Sequence, residues 1–357
     1  MTEDVYRRLQ QRLDDYSIGF PAAESGLDQK ILQRLFDPEE ADMYLDLTLL
    51  LETPDQIAAR TGRELGQLTE LLERMVDKGL IFRLKREETK YAASPYVVGV
   101  FEFQVKDLDP ELADMMEQYY EEAFHRSFVE SGSFMRPIPI NRQVVVSHPV
   151  ATYEDSRQIV RGHKKLAVAQ CICRVQQKLI GKGCDRPVEI CMMFGSHADY
   201  YVDKGMARYI DVEEADRLLD LCEKEGLVTQ PYNTVNPGGM CNCCGCCCGV
   251  LRGIKNAPKP AELVLSNYWA EIDADACTAC ETCLERCQMD AIRMEDETAV
   301  VDLDRCIGCG LCVTTCPADA VTLMVKPESQ RRTPPENGVE QMLQMAERRG
   351  KSLIPEG

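Results

Sequence analysis

Cys277-Thr-Ala-Cys280-Glu-Thr-Cys283-Leu-Glu-Arg-Cys287 and Cys306-Ile-Gly-Cys309-Gly-Leu-Cys312-Val-Thr-Thr-Cys316-Pro317 repeat one spacing, 29 positions apart. In each, two residues separate the first three cysteines and three precede the fourth. Three thiolates so placed lie on one tight loop and can wrap three corners of a cubane [4Fe-4S] cluster. Zinc sites built on Cys-x2-Cys normally draw two separated pairs per ion, whereas each run here brings four cysteines. Short strands are expected beside the runs, at residues 299–302 and 320–325.

This region resembles the bacterial two-cluster ferredoxins, whose fold of small hairpins and short helices it should share. The resemblance implies crossed ligation. Cys277, Cys280, Cys283 and Cys316 would hold one cluster, and Cys306, Cys309, Cys312 and Cys287 the other. One departure stands out: Gln288 follows Cys287 where the family has proline, so the packing around Cys287 need not follow the family. Residues 259–328 carry 5 basic and 14 acidic side chains, a formal −9. Two oxidised clusters with their thiolates would add roughly −4, so a redox partner with a basic docking patch is expected.

The protein has 357 residues and 19 cysteines, all within residues 171–316. Ten of those outside the two runs crowd into residues 171–248: Cys171, Cys173, Cys184, Cys191, Cys241, Cys243, Cys244, Cys246, Cys247 and Cys248. That is too many for one tetrahedral ion, and the expectation is one or two further Fe-S clusters using a subset of them. Cys171, Cys173, Cys184 and Cys191 could form one set and four of the later group another, or the two groups could interleave. A zinc site, a noncubane cluster and a vicinal disulfide are the alternatives. Cys222 falls on the apolar stripe of a helix starting at Asp211, with Ala215, Leu218 and Leu219, and reads as a buried small hydrophobe.

The first 170 residues lack cysteine. Residues 28–96 read as three helices and a hairpin. Pro38 starts one helix, Thr53-Pro54 starts another, and residues 64–78 form a third with Leu65, Leu68, Leu71, Leu72 and Met75 on one face until Gly79. Strands follow at residues 81–84 and 90–92. The order, with Gln56-Ile57-Ala58-Ala59-Arg60-Thr61-Gly62 before the third helix, resembles a winged helix-turn-helix domain. Its 10 basic and 14 acidic side chains oppose phosphate contacts, and only the hairpin, with Arg83, Lys85, Arg86 and Lys90, is basic. Nucleic acid is therefore disfavoured as a partner.

A formal charge of −18 weakens any broad grip on nucleic acid or anionic lipid. No apolar run is long enough to span a membrane, though a peripheral place in a larger complex fits. The start, Met-Thr-Glu-Asp-Val-Tyr-Arg-Arg, is charged and unlike a signal peptide. A cytoplasmic location, where thiols stay reduced, follows as an expectation.

The sequence therefore predicts an α+β multidomain chain. Its expected parts are an N-terminal helical segment (1–27), a winged-helix-like domain (28–100), a connecting segment (101–160), a cysteine-rich α/β Fe-S module (161–258), a ferredoxin-like 2[4Fe-4S] domain (259–330) and a polar tail (331–357). The connecting segment includes a strand-like run at Val144-Val145-Val146 and prolines at Pro137, Pro139 and Pro149, and residues 339–349 read as a surface helix. This order resembles multidomain iron-sulfur proteins of anaerobic bacteria and archaea. His125, His148, His163 and His197 lack ligand spacing. Gly350-Lys351-Ser352 is not a P-loop, and no strand-linked GxGxxG would hold a nucleotide. With no catalytic group evident, the reading is an electron-transfer protein or subunit relaying single electrons to a partner enzyme. A redox-responsive winged-helix regulator is the alternative, and an enzyme with an open iron in the middle module is a third reading.

Overall fold

In a computed structural model, residues 4–132, 134–139 and 151–353 are described. Val144-Val145-Val146, His148 and Pro149 lie outside them.

The N-terminal third is helical because its sequence caps helices well. Asp37 and Glu40 form a reciprocal capping box with Pro38 at the first helical position of Pro38–Asp46, and Thr53 and Gln56 do the same for Pro54–Thr61. Gly62, at φ +74°, ends the latter in the left-handed region where a side chain would be strained. Glu64 then caps Leu65–Asp77, which buries Leu68, Leu71, Leu72, Met75 and Val76. Leu65, expected on that face, is exposed instead at the helix's first turn. Strands β1 (Ile81–Lys85) and β2 (Thr89–Ala93) pair antiparallel from Ile81 opposite Ala93 to Lys85 opposite Thr89.

The basic residues of this hairpin are drawn into the molecule. Arg83 is buried between Glu73 and Asp203, and Lys85 Nζ lies 2.9 Å from the same Asp203 carboxylate. The Tyr200 hydroxyl donates to the Ile81 carbonyl at 2.8 Å and Phe82 packs on the Tyr200 ring. The hairpin is thus fastened to the helix Gly195–Asp203 of the next unit.

That unit is a five-stranded antiparallel sheet. Its strands are β3 (Leu166–Gln170), β4 (Glu189–Phe194), β5 (Ala207–Ile210), β6 (Val228–Pro231) and β7 (Gly239–Cys243), in the order β5-β3-β4-β7-β6. Strands with β-branched and sulfur-bearing residues buried on both faces, such as Ile190 to Phe194, form its centre. The helix Val212–Lys224, capped by Asp211, buries Ala215, Leu219 and Cys222 as the amphipathic pattern predicts, and burial pushes the Cys222 thiol up to about 12.

The segment ahead of the sheet packs against the cysteine-rich unit. Its helix Pro110–Glu122 lies against Ile172–Leu179, where Gln176 donates to the Ala113 carbonyl at 3.1 Å and Gln177 to Glu117 at 2.7 Å. Arg252 completes the joint with a bidentate pair to Glu117.

Two small antiparallel pairs follow. β8 (Tyr268–Ile272) pairs with β11 (Val321–Val325), and β9 (Ile292–Glu295) with β10 (Thr298–Val301). The final helix, Gly338–Arg348, is more than the surface helix its polar sequence predicts. It buries Gln341, Met345 and Ala346, and Gln341 donates to the Phe134 carbonyl at 2.7 Å. Beyond it Arg349 pairs with Asp14 and Lys351 with Asp14 and Asp15. No helix among the described residues is long and apolar enough to cross a membrane.

His197, packed between Phe82 and Tyr232, carries a pH-dependent share of stability. Burial lowers its imidazole to about 4. The unfolded chain therefore takes up a proton near pH 6.5 before the folded one does, so this stability is present above that pH and is lost as pH falls toward 4. Urea unfolding should show a loss of roughly 1 kcal/mol from this residue between pH 7.5 and 5.5. His197→Gln should flatten the slope by that amount.

Candidate metal centres

The two C-terminal runs are bent alike. Ala279 and Glu281 in the first, and Gly308 and Gly310 at the equivalent places in the second, all have positive φ. At Gly308 the turn is also tight: an added Cβ would come within 2.3 Å of the Tyr268 carbonyl. Asp290 and Asp319 repeat the positive φ after each run. The backbone then turns N–H groups onto sulfur, with Ala291 donating to Cys287 Sγ at 3.2 Å, Ala320 to Cys316 Sγ at 3.3 Å and Ala270 to Cys306 Sγ at 3.4 Å. Such N–H donors point at sulfurs where the negative charge of a cluster would sit, so the residues present suit [4Fe-4S] clusters.

The thiols fall into two neighbourhoods. Cys283 is raised by burial and by the nearby Cys277, Cys280 and Cys316. Cys309 is pushed up to about 12 by burial, with Cys287 and Cys306 adding to it, and Cys312 is raised for the same reasons. Metal must displace the protons from these thiols on binding. Cys280 is exposed, whereas Cys283 and Cys312 are buried.

Gln288, the departure from the ferredoxin pattern, has a structural use. Its side-chain carbonyl accepts the Gly245 N–H at 2.8 Å, and an added Cβ at Gly245 would come within 2.4 Å of the Gln288 backbone oxygen. The second neighbourhood therefore abuts the stretch Cys244-Gly245-Cys246. Gln288→Pro should cost about 1 kcal/mol at this joint. Amide hydrogen exchange at Gly245 should speed up by roughly five- to tenfold, while exchange in β3 should not change.

The ten central cysteines divide by position, and their sequence groups interleave. Six close a ring of neighbouring side chains running Cys171, Cys173, Cys248, Cys243, Cys241, Cys191 and back to Cys171. β7 supplies Cys241 and Cys243 from one face, since alternate residues of a strand share a side. Cys171 and Cys248 precede helices, and Cys191 comes from β4 opposite Ala169. All six line a cavity of about 80 Å³ whose walls include Tyr96, Glu102, Tyr201 and Tyr232. Burial raises the Glu102 carboxyl to about 8 while it accepts the Gly99 N–H at 2.8 Å. Nothing in the sequence pattern marked Glu102 or this wall.

Cys184 leaves the ring and joins Cys244, Cys246 and Cys247, with all four sulfurs within 4.8 Å of one another. A four-cysteine set of Cys171, Cys173, Cys184 and Cys191 is thus not what the chain brings together. Cys244 is held down to about 4 by the hydrogen bond from Cys247 and by the Arg174 guanidinium. Arg174 is buried between the two groups. It donates to the Pro187 carbonyl at 3.1 Å and the Asn242 carbonyl at 3.0 Å, and its own charge is stabilised by Cys171, Cys244 and Cys243.

The family model for a 4Fe-4S dicluster domain matches residues 270–323. No curated protein and no solved structure matches the chain.

Proposed function

We propose that this chain, whose residues 270–323 carry a 4Fe-4S dicluster domain, is an iron-sulfur electron-transfer protein or subunit. In this reading, Cys277, Cys280, Cys283 and Cys316 hold one [4Fe-4S] cluster, Cys306, Cys309, Cys312 and Cys287 a second, and the six-cysteine ring a third. Bound there, the clusters supply one-electron carriers. The observation that carries the reading is contiguity: the Gln288–Gly245 bond joins the dicluster domain to the central cysteines. The exposed Cys280, amid the acidic surface of residues 259–328, is the outlet, and a partner with a basic patch docks there. The ring, with its walled cavity, is the inner end. A cytoplasmic setting suits free thiols.

Anaerobic purification with iron, sulfide and EPR analysis tests this. Three cubane clusters give about twelve irons and as many sulfides per chain, reducible by dithionite. Substantial zinc with little sulfide would overturn the proposal.

The helix order and hairpin of residues 27–93 support a winged-helix likeness, and with it the regulator reading. Against that reading, Arg83 and Lys85 are occupied by Glu73 and Asp203, and Glu64, Glu70 and Glu73 lie along the third helix. The unit accordingly serves to dock the hairpin on the helix Gly195–Asp203. A mobility-shift assay on the upstream DNA should give no salt-sensitive specific complex in either redox state.

A further inference from the structure

Among the described residues, Cys184, Cys244, Cys246 and Cys247 alone form a compact set of metal donors. Cys184 and Cys244 sulfurs are 3.9 Å apart, Cys246 and Cys247 3.8 Å, and Cys247 and Cys184 3.7 Å. Four thiolates bound tetrahedrally at about 2.3 Å from one ion must stand about 3.8 Å apart. Around a cubane each thiolate lies outside an iron corner, so the separations grow to roughly 6 Å. The dicluster domain is the internal comparison: none of its cysteines forms a comparably compact set among the described residues.

We propose that Cys184, Cys244, Cys246 and Cys247 bind one tetrahedral divalent metal ion, zinc or iron, and not a cubane cluster. This goes beyond the electron-transfer reading and does not rest on it. The ligands come from two places, the loop ahead of β4 and the turn after β7, so one ion ties them together. Gly245, between two of the ligands, carries the bond to Gln288, so the same ion anchors the joint with the dicluster domain. Four thiolates around a divalent ion leave a net charge of about −2. Arg174 beside Cys244 and Arg186, whose guanidinium donates to Cys246 Sγ at 3.8 Å, offset it.

The test compares total metal and acid-labile sulfide in the anaerobically purified full chain with those in Cys184→Ser and Cys246→Ser. Each variant should lose about one metal equivalent and no sulfide, with no three-iron EPR signal beyond that of the wild type, whereas Cys280→Ser should lose sulfide or gain that signal on oxidation. Loss of about four irons together with about four sulfides from Cys184→Ser, or a three-iron EPR signal absent from the wild type, would overturn the proposal. A wild-type chain without sulfide would defeat the electron-transfer reading and leave the single-ion count standing. Should the variants fail to fold, X-ray absorption at the zinc edge of the wild-type chain should show four sulfurs at about 2.3 Å with no metal neighbour. If the chain holds no zinc, Mössbauer spectra should show a mononuclear tetrathiolate iron. Absence of both signals overturns the proposal.

Discussion

Cys316→Ala should empty or degrade the cluster of Cys277, Cys280 and Cys283, although Cys316 belongs to the other run. Three thiols on a tight loop occupy one side of a cubane, and the chain after each loop carries the fourth cysteine toward the neighbouring site. Cys316 lies beside Cys283 together with Cys277 and Cys280, while Cys287 neighbours Cys306, Cys309 and Cys312. Removing one thiolate opens one iron, so between about one and four irons should be lost per chain, with a three-iron EPR signal appearing on oxidation. Cys287→Ala should injure the other cluster instead. Pairing each substitution with loss of the three remaining ligands of one site assigns the damage. Losses confined to each cysteine's own run would refute crossed ligation.

Arg174→Met should be the most destabilising single change outside the metal ligands, at about 3–5 kcal/mol. The guanidinium is only 1% exposed and bridges the half-buried Pro187 carbonyl and the buried Asn242 carbonyl. Its loss strands the buried Asn242 acceptor, worth about 1–3 kcal/mol when unpaired, and frees the Pro187 carbonyl. It also removes the positive charge that Cys171, Cys243 and Cys244 share. Against a total stability of roughly 5–15 kcal/mol, that loss should lower both the urea midpoint and the metal content. Arg174→Lys should recover little, because a point charge cannot span carbonyls on two sides as a planar fork does. A midpoint within experimental error of wild type, with full metal, would contradict this role.

Local chemistry made much of the fold legible. The capped helices at Pro38 and Pro54, the hairpin after Gly79 and the strands flanking the dicluster runs all follow from residues that act on their immediate neighbours. Interleaving of the central cysteines was one of the arrangements the sequence left open, and which of them meet stayed undecided because it depends on direction and not on spacing. Cys243 ends a strand and faces the ring, whereas Cys244, one residue on, starts a turn and faces Cys184. The hairpin's basic residues gave no sign of their use either, since Asp203 lies 120 positions from Arg83. Glu102 and the cavity wall were missed for the same reason: no periodic pattern records a contact between distant segments.

The clasp of Arg349 and Lys351 on Asp14 and Asp15 joins residues about 335 positions apart. Closing a loop of that length from a disordered chain costs on the order of 5 kcal/mol in entropy, more than a few partly exposed ion pairs return. The clasp can therefore form only once the intervening body has folded and shortened the distance. Its helix holds Phe134 through Gln341, and Phe134 packs on Tyr232 in the wall of the ring cavity. Docking of the last helix is thus a late step, one that fixes Phe134 against Tyr232 only after the body between them has folded.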